Sequence, residues 1–504
     1  MVVGTEGDSL KIYLGEGNMI NILPKPVSIS VLSENTFEYS NSDLKKEFES
    51  HPQEGYRLTI GPEGVKSYAS TERGHIYALR TFEQLVALGK VPHIEIIDFP
   101  KYPFRGYMLD TCRHFFSIEE IKKQILAMSK LKLNVFHWHL TEDQGWRIQI
   151  DRYPKLTEIG SKRKGTRGDN IPVEGFYTKD EIRDVVGYAS SLGIDVMPEI
   201  DIPGHFSAAI AAYPYLSCDG REAEVKDSFG IHEDVCCAGK EIAQEFLRGV
   251  LDEVVELFPF KYIHLGGDES LRIKWLDCKD CQRTMEEAGL KDEDELQAYF
   301  MEKIAAYAEE KGRIVLNWND GMVASNVGKN IVVHFWNENG KNKEAALRHI
   351  NGGHKGVISP FFSYYLDYPY GMTPLKKTFK YSHLEEGFND ENILGLEAPL
   401  WTEFVGDIET VEYMTYPRLL VVADRAWGNN DLDYSGFISR TQAIFNTFDS
   451  IGIKYAKISE VNPRGFKKIK SLLVFLKRMW HPSVMESLER VKRNKKMLKA
   501  KYKT

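Results

Sequence analysis

One feature constrains the fold of this chain more than any other: from Arg105 onward, short apolar segments alternate with longer segments of helical periodicity. This alternation is typical of a parallel sheet that helices cover. Eight strands are predicted, which favours an α/β fold of the (β/α)8 barrel type over an open doubly wound sheet, because no glycine-rich dinucleotide turn follows the first strand. The predicted strands are Gly106 to Asp110, Asn134 to His139, Ile194 to Glu199, Tyr262 to Leu265, Ile314 to Trp318, Ile331 to Phe335, Gly356 to Ser359 and Ile393 to Pro399.

The chain is long enough for several domains, since single hydrophobic cores stop growing at about 250 to 300 residues and this chain has 504. We expect a small α+β accessory domain at residues 1–98, the barrel at 99–430 and a C-terminal helical segment at 431–504. The segment Asp98 to Phe104, rich in proline and aromatic residues, marks the first boundary. Other predicted elements are strands at Ser28 to Leu32 and Tyr56 to Ile60, and helices at Thr71 to Leu88, Ile118 to Leu131, Lys179 to Leu192, Glu241 to Phe258, Glu293 to Lys311, Ile408 to Ala426, Gly436 to Ser450 and Phe466 to Thr504.

The charge and hydropathy of the chain argue against nucleic acid and membrane as its partners. A net charge of -8 argues against a nucleic-acid-binding protein, and no apolar run is long enough to predict a membrane span. The first residues lack the basic and apolar regions of a signal peptide, so we expect a cytoplasmic protein or a chain without its export signal. Lys and Arg are frequent from Arg490 to Lys503, but few aromatic residues interleave with them, which favours a solvated helix face over a nucleic-acid or membrane surface. The oligomeric state stays open.

The six cysteines are too few for a disulfide scaffold in a chain of this length. Cys278 and Cys281 have the spacing of half a zinc site, but Cys236 and Cys237 are adjacent and no second pair of that spacing follows. We therefore expect reduced thiols or a local disulfide rather than a bound metal, and no cofactor.

The segment Tyr262 to Glu269 is the most informative stretch within the barrel pattern. It reads Tyr-Ile-His-Leu-Gly-Gly-Asp-Glu, so that an apolar strand ends in two glycines and two adjacent carboxylates. The glycines allow backbone or ligand to approach closely, and the carboxylates follow the carboxyl end of a strand, where such barrels carry their chemistry. We therefore expect Asp268 and Glu269 at the centre of a site rather than in a solvated turn.

Further polar and aromatic residues follow the other predicted strands. Flat aromatic rings can stack on the C–H faces of a sugar, while carboxylates and arginine bind its hydroxyl groups. Because tryptophan recurs just beyond several strand ends, a sugar pocket is favoured over a set of unrelated core residues. The residues concerned include Asp110, Arg113, His114, His137, His139, Asp143, Trp146, Glu199, Asp201, His205, Trp318, Trp336, Tyr365, Asp367, Trp401 and Glu403.

Six segments occur in the order found in glycoside hydrolase family 20, the β-N-acetylhexosaminidases, and the chain resembles that family from Arg105 to Glu403. They are R-G-Y-M-L-D-T-C-R, H-W-H-L-T-E-D-Q-G-W-R, P-E-I-D-I-P-G-H, H-L-G-G-D-E, Y-L-D and W-T-E. The N-terminal unit is similar to the small accessory domain of the family. The resemblance implies a barrel hydrolase that acts on a glycan or glycoconjugate and releases terminal β-linked N-acetylglucosamine or N-acetylgalactosamine.

The resemblance also implies roles for individual residues. The implied catalytic residues are Glu269 as general acid and base, Asp268 as the partner of the substrate's acetamido N–H, and Tyr365 as the donor to the acetamido oxygen. The implied binding residues are Arg113 for O3 and O4 of the ring, Glu403 for the far hydroxyl groups, Asp367 beside Tyr365, Trp318, Trp336 and Trp401 around the sugar, and Asp143 and His205 in a relay to Glu269. Asp320 and Asp424 depart from the family pattern, which often has glutamate there, and we expect both to lie behind the residues that touch substrate.

The adjacency of Asp268 and Glu269 supports these implied roles on physical grounds. A glycosidase with a covalent intermediate needs two carboxyl groups about 5 to 5.5 Å apart on opposite faces of the bond, and a pair that activates a water molecule needs about 6.5 to 9.5 Å. Adjacent side chains leave one short stretch of backbone and cannot easily flank a sugar in this way. The alternative is attack by the substrate's own acetamido oxygen, with one carboxyl group as proton donor and its neighbour stabilising charge on the acetamido nitrogen.

Two other functions stay open at this point. His137 and His139 alternate on one strand and project to the same face, which could indicate a metal-dependent amidohydrolase, although no convincing set of further ligands follows. A sugar-binding protein without turnover would keep the same aromatic pocket. The intact pair Asp268 and Glu269 favours an enzyme, because binding alone needs no proton donor.

Overall fold

The computed structural model describes residues 13–14, 18–40, 43–87, 89–165, 171–324, 327–430 and 432–502. Its centre is a closed barrel of eight strands, all paired in parallel. The predicted fold class is confirmed. The barrel strands, numbered in chain order, are β1 (Phe104–Asp110), β2 (Val135–His139), β3 (Asp195–Ile202), β4 (Tyr262–Gly266), β5 (Ile314–Trp318), β6 (Ile331–Phe335), β7 (Gly356–Ile358) and β8 (Ile393–Leu400).

The barrel helices begin where capping residues stand in the sequence. Ser117 and Thr178 each accept a hydrogen bond from a backbone N–H in the first turn, and the glutamate three positions later bonds back. One predicted helix is wrong in extent: Ile408 to Ala426 forms two helices, because Pro417 has no N–H with which to continue the helical hydrogen bonds. The main helices around the barrel are Ile118–Lys130, Lys179–Ser191, Glu241–Leu257, Lys279–Ala288, Glu293–Glu310, Gly340–Asn351, Ile408–Thr415 and Arg418–Trp427, with shorter ones at Lys155–Glu158, Ser207–Ala212, Phe361–Tyr364 and Leu375–Lys380.

The N-terminal part is a five-stranded sheet with one helix, Glu72–Val86. Buried ion pairs join it to the barrel: the Lys132 ammonium lies 2.7 Å from Asp98, and the Arg105 guanidinium lies 2.8 Å from Glu54. Because an unpaired buried charge is costly, these pairs fix how the two parts pack. The strands are Ser28–Phe37, Leu44–Phe48, Tyr56–Gly61, Gly64–Ala69 and Val91–Asp98.

The C-terminal part consists of the helices Tyr434–Ile451, Gly465–Met479 and Pro482–Lys501. The single helix predicted from Phe466 is therefore two helices, and the second begins at a proline, which favours the first turn of a helix. This last helix, which carries most of the basic tail, packs against the barrel: Arg490 donates to the carbonyl of Ile231 (2.7 Å), and Lys501 lies 2.9 Å from the carboxylate of Glu293. None of the described helices combines the length and apolarity that crossing a bilayer requires.

Candidate active site

The loop that follows β4 brings Asp268 and Glu269 to the mouth of the barrel. Gly266 has a φ of 66°, and a Cβ there would lie 1.6 Å from Oδ1 of Asp201, so no larger residue fits. Glu269 has a φ of 45°, a conformation that costs side-chain-bearing residues about 1 to 3 kcal/mol. The surrounding structure therefore imposes this turn, and it directs two adjacent carboxylates into one site.

Asp320, which follows β5, holds this turn in place. Its Oδ2 accepts a hydrogen bond from the backbone N–H of Glu269 at 3.0 Å, and its Oδ1 accepts one from the indole N–H of Trp336 at 2.9 Å. Asp320 therefore fixes the position of Glu269 relative to the ring of Trp336. Asp424 instead binds the backbone N–H of Lys25 and the guanidinium of Arg440, so that it ties the chain's N-terminal part to a C-terminal helix.

His205, after β3, contacts both carboxylates of the pair. Its Nε2 lies 3.5 Å from Oδ2 of Asp268 and 3.7 Å from Oε2 of Glu269. The two carboxylates leave adjacent backbone positions and both turn towards one imidazole nitrogen, so they are poorly placed to flank a sugar from opposite faces. This arrangement agrees with the expectation from their adjacency in the sequence.

The other nitrogen of His205 has a different partner from the one expected. The expected relay runs through Asp143, but the hydrogen bond from Nδ1 goes to Oε1 of Glu142 at 2.5 Å, whereas Asp143 lies 3.7 Å away. Asp143 instead accepts hydrogen bonds from the backbone and the hydroxyl of Ser207. Sequence reasoning missed Glu142, because both acids stand side by side after β2 and spacing does not show which of them turns towards the histidine.

Burial sets the protonation of these groups. Loss of solvation raises the pKa of Glu269 to about 8, an effect that His205 opposes and that Asp268 and Asp320 reinforce. Desolvation likewise raises the pKa of Asp268, against the influence of His205. Burial disfavours the charged imidazole, yet Glu142, Asp268 and Asp201 raise the pKa of His205 well above its ordinary value. The site thus combines a protonated carboxylic acid with a charged imidazolium.

Arg113, after β1, is fixed by carboxylates on several sides. Its guanidinium forms an ion pair with Glu142 and lies 3.3 Å from Asp110 and 3.8 Å from Glu403. Its Nε–H donates to the side-chain amide oxygen of Gln144 at 3.2 Å. Although burial disfavours its charge, these carboxylates raise the pKa of Arg113. A permanently charged, preorganised fork next to Glu403 is well suited to binding neighbouring hydroxyl groups.

Aromatic rings surround the remaining space. Trp336 and Tyr365 are stacked with ring centroids 5.9 Å apart, and Trp401 lies 6.4 Å from Tyr365 and 5.0 Å from the guanidinium carbon of Arg113. Trp336 and Trp401 are half-buried, so each keeps ring surface for a ligand. Burial, and then the nearby carboxylates of Asp268 and Asp367, raise the pKa of Tyr365, which keeps its hydroxyl group a hydrogen-bond donor.

Trp318 differs from the expectation that it lines the sugar pocket. It has no exposed surface, its indole N–H donates to Glu199 at 2.8 Å, and its ring stacks on His334 with centroids 4.1 Å apart. Its centroid lies 6.0 Å from that of Trp401. Trp318 is therefore part of the barrel core directly beneath the aromatic ring that borders the site.

The histidines of β2 belong to the same core layer. His137 lies 2.9 Å from Glu397 and 3.0 Å from Glu199, and His139 lies 2.6 Å from Glu199. All four side chains are fully buried. A catalytic metal needs an open coordination position for substrate or water, and these four side chains have no exposed surface. The geometry therefore favours a polar core layer over an amidohydrolase centre.

A cavity of about 670 Å³ opens beside Glu269. The barrel contributes Gly267, Glu269 and Asp320 to its lining, and the last helix of the chain contributes its opposite side. The C-terminal helix therefore borders a cavity that reaches Glu269, which the sequence did not predict. The helix contributes Val491, Asn494, Lys495, Leu498 and Lys499 to the lining, and Tyr502 follows the helix and lines the cavity as well.

Comparisons with known proteins agree with this geometry. Residues 102–430 match the model of the glycosyl hydrolase family 20 catalytic domain, and residues 21–99 match that of the family's domain 2. A beta-hexosaminidase of Porphyromonas gingivalis is 37% identical over 80% of this chain and 54% of its own length, and one of Vibrio furnissii is 35% identical over 73% and 64%. The chain thus spans about half to two thirds of the length of these two relatives.

Solved structures show the same likeness. A beta-N-acetylhexosaminidase of Bacteroides fragilis superposes with a TM-score of 0.79 at 30% identity and covers 89% of this chain and 100% of its own. An exo beta-N-acetylglucosaminidase of Vibrio harveyi, in complex with N-acetylglucosamine, superposes with a TM-score of 0.77 at 30% identity over 86% of this chain and 78% of its own. Together with the match over the barrel, these similarities establish that the chain belongs to glycosyl hydrolase family 20.

Proposed function

We propose that this chain is a β-N-acetylhexosaminidase, which releases terminal β-linked N-acetylglucosamine or N-acetylgalactosamine with retention of configuration. One observation carries the proposal: a single nitrogen of His205 contacts both Asp268 and Glu269. Since these carboxyl groups share one side of the site, neither can attack the anomeric carbon while the other protonates the leaving oxygen from the opposite face. The substrate's acetamido oxygen serves as the nucleophile, and a cyclic oxazolinium ion is the intermediate.

Glu269 acts as the general acid and then as the general base. Its raised pKa keeps it protonated at neutral pH, so that it can give its proton to the leaving oxygen. The hydrogen bond from its backbone to Asp320 fixes its position. In the second half of the reaction the ionised Glu269 takes a proton from the water that opens the oxazolinium ring.

Asp268 and Tyr365 act on the acetamido group. As the oxygen attacks, positive charge develops on the acetamido nitrogen, and Asp268 stabilises it by accepting the N–H hydrogen bond. The imidazolium of His205 supports this role, because it favours the ionised form of Asp268. Tyr365 donates its hydroxyl hydrogen to the acetamido oxygen and so orients it towards the anomeric carbon.

The remaining residues hold the sugar. Arg113 and Glu403 bind the ring hydroxyl groups as neighbouring donor and acceptor, and Asp367 lies beside Tyr365. Trp336 and Trp401 line the ring faces, while Trp318 supports Trp401 from the core. The cavity between Glu269 and the last helix then receives the leaving group, and its side chains select among glycans.

We expect Asp268→Asn to lower kcat more than it raises KM, because the charge that Asp268 stabilises appears mainly in the transition state. The measurement is steady-state kinetics on an aryl β-N-acetylglucosaminide, with Asp234→Asn, a substitution in an ion pair with Lys226 and Lys274, as the matched control. A change confined to KM would reassign Asp268 to ground-state binding.

We expect kcat/KM for a disaccharide substrate to fall as the pH rises through about 8. Glu269 must carry a proton to act as the acid, and its pKa is raised to about 8, so the protonated fraction is lost above that pH. The measurement is a pH profile of kcat/KM that extends to both sides of pH 8. An identical alkaline fall in the Glu269→Gln variant would show that another group causes it.

The activity itself is tested with an aryl β-N-acetylglucosaminide, assayed with and without a brief exposure to chelator. Turnover that the chelator leaves unchanged supports the glycosidase. Chelator-sensitive turnover at unchanged thermal stability would indicate the metal-dependent barrel enzyme, and binding without turnover would indicate a sugar-binding protein.

A further inference from the structure

Four cysteines from the segments that follow β3 and β4 lie close together. Cys218 and Cys237 belong to the segment between β3 and the helix Glu241–Leu257, whereas Cys278 and Cys281 follow β4 at the start of the helix Lys279–Ala288. All four sulfur atoms lie within 4.8 Å of one another. Three of these side chains are buried and Cys218 is half-buried. Neither the proposed hydrolysis nor the sugar pocket uses them.

The distances between the sulfur atoms fit one tetrahedral ion. Cys237 lies 3.7 Å from Cys278 and 3.6 Å from Cys281, and Cys218 lies 3.9 Å from Cys281. A ZnS4 tetrahedron with Zn–S bonds of about 2.3 Å places its sulfurs about 3.8 Å apart. A disulfide would need about 2.05 Å. An iron–sulfur cluster, which places several iron atoms between the thiolates, would need them farther apart than they are.

We propose that these four cysteines form a structural zinc site. Tetrahedral sulfur coordination is typical of Zn²⁺. Because the protein supplies all four ligands, no coordination position remains for water or substrate, so the ion stabilises the fold and takes no part in the chemistry. On binding, the thiols lose their protons and the ion receives four thiolate ligands.

The backbone segments around the four cysteines pack closely against one another. Gly239 packs against the start of the helix so tightly that a Cβ there would lie 2.3 Å from the backbone nitrogen of Cys281. The backbone N–H of Cys237 donates to the carbonyl of Leu216 at 2.8 Å, and the indole N–H of Trp275 donates to the carbonyl of Cys236 at 3.1 Å. The two loops are thus held together independently of the thiols, which leaves the sulfurs preorganised for an ion.

The site joins the two loops that carry the acid and its histidine partner. Glu269 precedes Cys278 in the loop after β4, and the backbone N–H of Cys236 bonds to the carbonyl of Pro203, next to the turn of His205. A zinc ion between these loops would restrict the motion of both. The sequence showed only half of this site, because Cys218 and Cys237 do not form a second closely spaced pair.

The test is the metal content of the full chain purified under reducing conditions without added metal. We expect elemental mass spectrometry to find about one zinc ion per chain. When cobalt replaces zinc, we expect the intense visible absorption bands of a tetrahedral cobalt–thiolate complex. Cys278→Ser and Cys218→Ser should lose the ion and lower the Tm. The matched control is Cys236→Ala, a buried cysteine next to Cys237 that lies outside the cluster; it should keep the zinc.

Several results would overturn the proposal. They are a wild-type protein whose six cysteines all titrate as thiols but which binds neither zinc nor cobalt, one with two disulfides among the four clustered cysteines, one that holds iron instead of zinc, and zinc retained in both serine variants. These readouts do not involve hydrolysis. A failed glycosidase assay would therefore leave the zinc site standing, and a missing ion would leave the proposed activity standing.

Discussion

Glu269→Gln should slow the hydrolysis of an N-acetylglucosamine disaccharide about 10² to 10⁴-fold, since general acid catalysis contributes that much. An aryl substrate with a good leaving group should lose far less, because its leaving oxygen departs without full protonation. The variant keeps the shape of the side chain and the backbone hydrogen bond to Asp320. The measurement is kcat/KM for both substrates in wild type and variant.

Glu256→Gln provides the matched control, since the same substitution then falls on an exposed side chain (71%) of a barrel helix. It should leave both rates unchanged. Equal losses for the disaccharide and the aryl substrate in Glu269→Gln would contradict the role of Glu269 as proton donor and would point to a general disturbance of the site.

The largest change in rate is expected when the acetamido group of the substrate is removed or altered. A plain β-glucoside lacks the acetamido group and should lose useful activity, because intramolecular attack can carry an effective molarity of about 10⁵ M or more. Neither Asp268 nor Glu269 can replace it, as both lie on one side of the site. Replacing the N-acetyl hydrogens with fluorine withdraws electrons from the attacking oxygen, so the rate should fall with each fluorine added.

The measurement is a kinetic series over the N-acetyl, fluoroacetyl, difluoroacetyl and trifluoroacetyl aryl glycosides. The matched comparison is the same series on Asp268→Asn, in which the overall rates are lower but the downward trend remains. A flat series in the wild type, or a trapped sugar ester on Asp268 or Glu269, would overturn the proposed mechanism.

Most of the barrel could be predicted because its strands are buried on both faces and therefore form continuous apolar runs. β5 and β6 match their predicted bounds, and β3 continues to Ile202, three residues past the predicted end. The strand Leu44–Phe48 was missed because its sequence, LKKEF, is mostly exposed and shows no apolar alternation. Pro417 and Pro482 stand where two segments of continuous helical periodicity each divide into two helices.

The residues of the site could be predicted because each follows the end of a barrel strand, and closure of the barrel brings those ends together. Contacts between side chains from different strands could not be predicted. Neighbouring acids such as Glu142 and Asp143 differ only in the direction each side chain takes, which depends on packing. The same limit applies to Cys218 and Cys237, whose sulfurs meet Cys278 only through the fold, and to the docking of the C-terminal helix beside Glu269.

The measurement that tests the central claim most directly is proton NMR of the hydrolysis of an aryl β-N-acetylglucosaminide, recorded before the product anomers equilibrate. Attack by the acetamido oxygen and then by water amounts to two displacements at the anomeric carbon. The account therefore predicts β-N-acetylglucosamine as the first-formed product, with the α-anomer appearing only later by mutarotation. An α-anomer formed first, or no released sugar at all, would contradict it.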